Sequence, residues 1–168
     1  MLFPMRMDKV HRTSTAVLMV VVPGILAVVL TAAPTPPRGI ALAVLTLVAG
    51  TLVLAWAMAP RALQLKGGEL RVLRRAWAPL RIPLDDVTHV EEGPALKGAL
   101  RLMGTGGFFG SYGLFYAPGV GRFRLYATRT TGVVTITRNG ALPVLVTPED
   151  GPAFVQAANA YRNPEAYL

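Results

Sequence analysis

The chain has 168 residues, a net charge of +8 and no cysteine, and 52% of it is hydrophobic against only 15% charged. Without cysteine there is no disulfide, no thiolate metal site and no cysteine nucleophile. A charged fraction below the roughly 25% of soluble domains takes part of the chain out of water, and the positive balance suits an anionic membrane surface or nucleic acid.

Residues 1–15 form a short segment carrying Arg6, Lys9 and Arg12, and after it the stretches 16–33 and 40–59 hold no charged residue. Uninterrupted apolar runs of about 18–20 residues are long enough to cross a hydrocarbon core of roughly 30 Å. Neither run shows the polar face of a helix lying on a surface. A chain of this size also cannot wrap two such helices inside one small domain. The loop between them, 34–39, contains only Arg38 as a charge and is too short to hold a domain. The two spans are therefore expected to form an antiparallel hairpin. Pro23-Gly24 is expected to kink the first, and Gly50 in the second to permit close approach.

Orientation follows from the flanking positive charge. Arg61, Lys66, Arg71, Arg74 and Arg75 follow the second span, so both ends are expected on the cytoplasmic side of the inner (plasma) membrane, with loop 34–39 outside. A cleaved signal peptide is the rival reading of the first span. That apolar run exceeds the usual ~7–15 residues, and Pro34 stands directly after the only small-residue cut, Thr31-Ala32-Ala33.

From residue 60 to 168 the pattern changes to short alternating runs between turn residues, which predicts β structure. Runs 62–66 and 69–74 flank Gly67-Gly68, a tight hairpin signal, and 80–84 and 87–91 meet at the turn Asp85-Asp86. Residues 93–113 hold five glycines after position 103, interleaved with Phe108, Phe109 and Tyr112, and read as a long loop or a set of tight turns. Runs 114–117, 122–128, 133–138 and 142–146 follow, the last two joined by Asn139-Gly140. In 122–128, Phe123, Leu125 and Ala127 alternate with Arg122, Arg124 and Tyr126, so one face is expected buried and the other polar.

Helical spacing returns at the end of the chain. Thr147 reads as N-cap and Pro148 as first helical residue, with Phe154, Ala158 and Tyr161 on one buried face and Pro164 as the stop. The whole reads as a two-helix transmembrane hairpin followed by a mainly-β barrel or sandwich of about seven antiparallel strands, capped by a C-terminal α-helix.

Three blocks sharpen that reading: Gly107-Phe108-Phe109-Gly110-Ser111-Tyr112-Gly113, then Gly121 to Thr128, then Val146-Thr147-Pro148-Glu149-Asp150 with Phe154. Over residues 61–161 they resemble the bacterial PH-domain family, whose fold is pleckstrin-homology-like and whose members often follow membrane helices. The resemblance implies that fold and membrane association, and no particular ligand. Phosphoinositide-binding PH domains place a lysine late in the first strand and two spaced bases in the second. Lys66 fits the first position, but Glu69-Leu70-Arg71 puts an acid where a base belongs. A Gly-Gly turn is also too short to wrap a headgroup.

Chemistry-bearing groups are sparse. The glycine-aromatic segment is neither a dinucleotide fingerprint nor a P-loop, because Phe109 holds the third glycine position and no Lys-Ser or Lys-Thr follows. Its glycines read as turn formers; alternatively its Phe109 and Tyr112 form an aromatic contact with lipid or a partner. Asp85, Asp86, Glu91 and Glu92 read as turn and strand-end residues rather than a metal site. The two histidines, His11 and His89, form no triad. No catalytic residue, cofactor or metal is expected.

Arg71, Arg74, Arg75, Arg122, Arg124 and Arg129 are either a solvated face or an attachment to anionic headgroups, at about 1 kcal/mol per basic residue near the surface. Nucleic acid is not expected, since no stacking platform accompanies the bases. The expected function is a membrane-anchored, non-enzymatic module for a protein, peptide or lipid surface. The alternative is a structural subunit that oligomerises through its helices.

Overall fold

The computed structural model describes residues 1–32, 38–93 and 98–162. Helix α1 spans Lys9–Ala32 and α2 spans Arg38–Met58. Both are long and apolar enough to cross a membrane. The first starts earlier than its apolar run, because Asp8 caps it: Oδ1 of Asp8 accepts the His11 N–H at 2.9 Å. Pro23 lies inside α1, and the helix continues through it. A Cβ built on Gly50 would meet nothing, so the close helix approach expected there is not made. Nearly all side chains of both helices face outward, with Val20 73% and Leu47 71% exposed.

The rest of the described chain forms ten strands in two sheets and one more helix. The first sheet has the order β1-β2-β3-β4: Leu2–Pro4, Pro60–Lys66, Glu69–Arg74 and Leu80–Pro83. The second has the order β5-β9-β10-β8-β7-β6, built from β5 Val87–Glu92, β6 Leu100–Thr105, β7 Ser111–Ala117, β8 Gly121–Ala127, β9 Val134–Arg138 and β10 Ala141–Val146. The two sheets do not close into one barrel. The Gly-Gly and Asn-Gly turns join antiparallel neighbours as expected. Asp85-Asp86 belongs to a short 3-10 turn, Leu84–Asp86.

Expectations about the β domain's elements are corrected as well. Strand β1 was not anticipated; it pairs with β2 and draws the extreme N-terminus into the domain. Residues 93–113 are not simply loop: β6 and the start of β7 lie within them. That hairpin exists because Gly104 and Gly113 sit opposite each other at φ of +120° and +130°. A Cβ on either would collide with the facing strand's carbonyl oxygen. Next, the strands are not all antiparallel, since β8 and β10 run parallel with Leu125 beside Leu145. Finally, α3 spans Gly151–Arg162, later than Thr147. Its cap is Asp150, whose Oδ1 accepts the Ala153 N–H at 3.0 Å. Thr147 is taken up instead by the Thr128 N–H at 2.9 Å. Pro164 lies outside the described residues.

The main core lies between the two sheets. Leu63, Leu65, Leu70 and Ile82 face Val134, Ile136 and Val144, and Phe154 of α3 closes the end, ring edge against Phe3 at 5.2 Å. Tyr161, expected to be buried, is 40% exposed. The other side of β7, β8 and β10 forms a second cluster around Phe115, Phe123, Leu125 and Leu145. Tyr126, expected on a polar face, is buried in the first cluster, because that face of β8 turns toward the first sheet.

Candidate functional site

The helices leave the domain through hydrogen bonds rather than through a linker. At its C-terminus a helix has carbonyls with no partner of its own. In α2 the Ala57 carbonyl accepts the Ala76 N–H at 3.0 Å, and just beyond it the Ala59 carbonyl accepts the Arg75 N–H at 3.0 Å. The Tyr112 hydroxyl donates to the Ala55 carbonyl at 2.5 Å. Its burial pushes the phenol's pKa up, which keeps that donor protonated.

The N-terminus of α1 is held as firmly. Oδ2 of Asp8 accepts the Thr130 N–H at 2.9 Å and its hydroxyl at 3.1 Å, while Oδ1 also meets the His11 ring at 2.9 Å. Burial pushes the Asp8 carboxyl up, but these donors outweigh it and bring its pKa to about 2. His11 itself is buried, with Nε2 3.2 Å from the Ser111 hydroxyl, so contrary to the sequence expectation Asp8, His11 and Ser111 do form an Asp–His–Ser hydrogen-bonded chain, which here ties α1 to β7.

The glycine-aromatic segment fits between these two anchorages. The Phe109 N–H donates to the Thr15 hydroxyl of α1 at 3.0 Å, while Tyr112 reaches α2. Phe109 is 7% exposed and packs into the main core, with a left-handed φ of 54° between Phe108 and Gly110. Its ring is therefore a packing element, and the segment works as a bracket for the two helices.

The arginines separate into three situations. Arg71 is neutralised by Glu69 at 2.8 Å. Arg129 donates to the Glu149 carbonyl at 3.0 Å and lies on a depression of about 700 Å³ that it shares with Glu92, Glu149 and Asp150. Three carboxylates beside one guanidinium do not make an anion site. Arg122 is exposed on β8, and Arg75 has a buried Nε without an acceptor.

Arg74 and Arg124 differ from the others, because the fold brings them into one groove of about 560 Å³ between α2 and the open side of the sheets. Thr51, Leu54 and Met58 of α2 form one wall, and Met103 and Leu114 form the other. Arg74 sits over the Tyr126 ring at 5.6 Å, and its Nη2 donates to the Tyr126 hydroxyl at 3.4 Å. Its Nε is buried with no partner. Among the described residues neither Arg74 nor Arg124 has a carboxylate partner. Behind them, burial and the neighbouring Arg124 charge both lower the pKa of Arg138. Among the described residues, then, the two guanidiniums of the groove have no salt-bridge partner.

Sequence reasoning named Tyr112, Arg74 and Arg124 but had no means of joining them to α2. It also passed over the two tryptophans. Trp56 is 42% exposed near the end of α2, and Trp77 is 52% exposed beside the Ala76–Ala57 bond. Among the described residues no group of three or more histidines and acids is placed to hold a metal ion.

Residues 62–161 match the family model described as a bacterial PH domain. The match spans more than half of the chain, and the chain belongs to that family. No curated protein and no solved structure matches it.

Proposed function

We propose that this bacterial PH-domain protein is a membrane-anchored, non-catalytic interaction module that holds its β domain against the anionic cytoplasmic leaflet. The observation that carries the reading is the junction. Two helices of membrane-spanning length are bonded into the domain at their near ends, and β2 starts two residues after α2 ends. With no linker, a domain attached to embedded helices has to lie at the headgroups. The exposed Trp56 and Trp77 support the same level, since indoles concentrate at the membrane–water boundary. Arg74, Arg75 and Arg124 add attraction to an anionic leaflet.

The absence of native cysteine makes the test direct. Single cysteines replace Thr35 in the short loop or Arg122 on the domain, and a membrane-impermeant maleimide is added to intact cells. Labelling of Thr35→Cys at once, and of Arg122→Cys only after permeabilisation, is expected. Immediate labelling of Arg122→Cys would reverse the sidedness. Release of the wild-type chain from membranes by alkaline carbonate would remove the anchoring altogether.

A further inference from the structure

We infer that the groove between α2 and strands β6–β8 seats one anionic phospholipid, with its phosphate at Arg74 and Arg124 and its acyl chains along Leu54 and Thr51. This assignment rests on the reading that α2 spans the bilayer with the domain at the headgroups. Four observations lead to it.

The groove is amphipathic along its length. Its floor offers two guanidiniums and the Tyr126 hydroxyl, while its walls are Leu54, Met58, Met103 and Leu114. Phosphate with attached hydrocarbon has the same division, and neither a free anion nor an apolar ligand does.

The charge is also uncompensated. Among the described residues neither Arg74 nor Arg124 pairs with a carboxylate, so a phosphate seated between them would meet two guanidiniums that no acid of the chain has claimed. Arginine is suited to phosphate because its planar fork donates two parallel hydrogen bonds.

The level fits as well. Thr51 lies five residues from Trp56 toward the middle of the span, which at a rise of 1.5 Å per residue is about 7 Å deeper. Residues of the span and of the sheet line the same space, so the groove extends from the headgroup layer into the upper acyl region. Met103, 73% exposed on the edge strand β6, stands at that rim. With Leu100 and Leu102, also exposed on β6, it gives that edge an apolar surface.

Finally, the volume lies inside the ~300–1,000 Å³ range of ordinary ligand sites, enough for a headgroup and the start of its chains.

The test uses the full chain in mild detergent, with native mass spectrometry as phosphatidylglycerol, phosphatidylcholine with the same chains, or glycerol phosphate is titrated in. One phosphatidylglycerol per chain is expected to be retained, about tenfold more tightly than phosphatidylcholine, whose trimethylammonium is repelled by the two guanidiniums. Arg124→Ala should lower phosphatidylglycerol retention about tenfold without changing thermal stability, because Arg124 is exposed. Leu54→Trp, which fills the groove, should lower retention of both lipids. Arg122→Ala, two residues along β8 and outside the groove, should change neither.

Equal retention by wild type and Arg124→Ala would overturn the assignment, as would an Arg122→Ala loss of the same size, which would mean diffuse attraction only. Competition by glycerol phosphate as effective as that of the whole lipid would replace the lipid with a soluble anion. Displacement of the lipid by an acidic peptide at lower concentration would make the groove a peptide site. Carbonate extraction run in parallel separates the two levels: a chain that stays embedded while these arms fail loses the groove alone.

Discussion

The two long helices and the β domain handle apolar residues in opposite ways. In the domain, Leu63, Leu70, Phe123, Ile136 and Phe154 are fully buried against one another. In α1 and α2 nearly all apolar side chains outside the last turn of α2 point outward, and even a Cβ built on Gly50 would touch nothing. The domain therefore supplies its own interior, whereas the helices leave their apolar surface uncovered by the rest of the described chain, as the proposed bilayer-spanning pair would. The two regimes meet at the bracket of residues 107–112, at Thr130 and at Arg75-Ala76, each of which hydrogen-bonds to the near end of a helix. Three separate things are then open to perturbation: the protein core, the outward apolar surface of the helices, and the hydrogen-bonded junction between them.

That division can be tested by substitutions read out as denaturant or thermal unfolding in detergent micelles, with far-ultraviolet circular dichroism. The largest effect is expected from Gly104→Val or Gly113→Val, which drives a side chain into the opposing strand; no folded β domain should be recovered. Phe154→Ala empties a fully buried position and should cost about 3–5 kcal/mol. Asp8→Ala removes the α1 cap together with the bonds from Thr130 and should cost about 1–2 kcal/mol. Tyr112→Phe keeps the ring but frees the Ala55 carbonyl, for about 1 kcal/mol. Leu47→Ala, a truncation of similar chemistry to a core change, should stay within about 0.5 kcal/mol. A core-sized loss at Leu47 would mean that the helices have a protein partner, and native mass would show a second copy.

The Asp8 bonds also give the junction a pH signature. Its folded pKa of about 2 lies below the ordinary 3.8. The carboxylate's contribution is then fully present above the higher value and is lost as pH falls through the lower one. The stability difference between wild type and Asp8→Asn should shrink over that acid window and stay constant from there to neutrality. A constant difference throughout would show that the charge contributes nothing to the clasp.

Much of this organisation was legible in the chain. The helices announced themselves through two runs without charge, and the hairpins through Gly67-Gly68 and Asn139-Gly140, since both signals are local. The central glycine-aromatic blocks led to the family that the match over 62–161 bears out. What escaped was non-local. Leu2–Pro4 is too short to show a period and becomes a strand only because β2 offers an edge. Strand β6 was hidden because Gly104 reads as a breaker until Gly113 is placed opposite it. Thr147 looked like a cap because nothing in its neighbourhood reveals that Thr128 claims its hydroxyl. The arginines could be counted, but only the fold separates Arg71, satisfied by Glu69 two residues away, from Arg74, whose surroundings come from β8 and α2.

The carbonyl bonds at Ala55, Ala57 and Ala59 leave no swivel between α2 and the domain. A span that outgrows its bilayer relieves the mismatch by leaning. On the proposed reading, a lean of α2 would turn the sheet with the helix, like a rudder on its post. The thickness of the membrane would then set the orientation of the β domain.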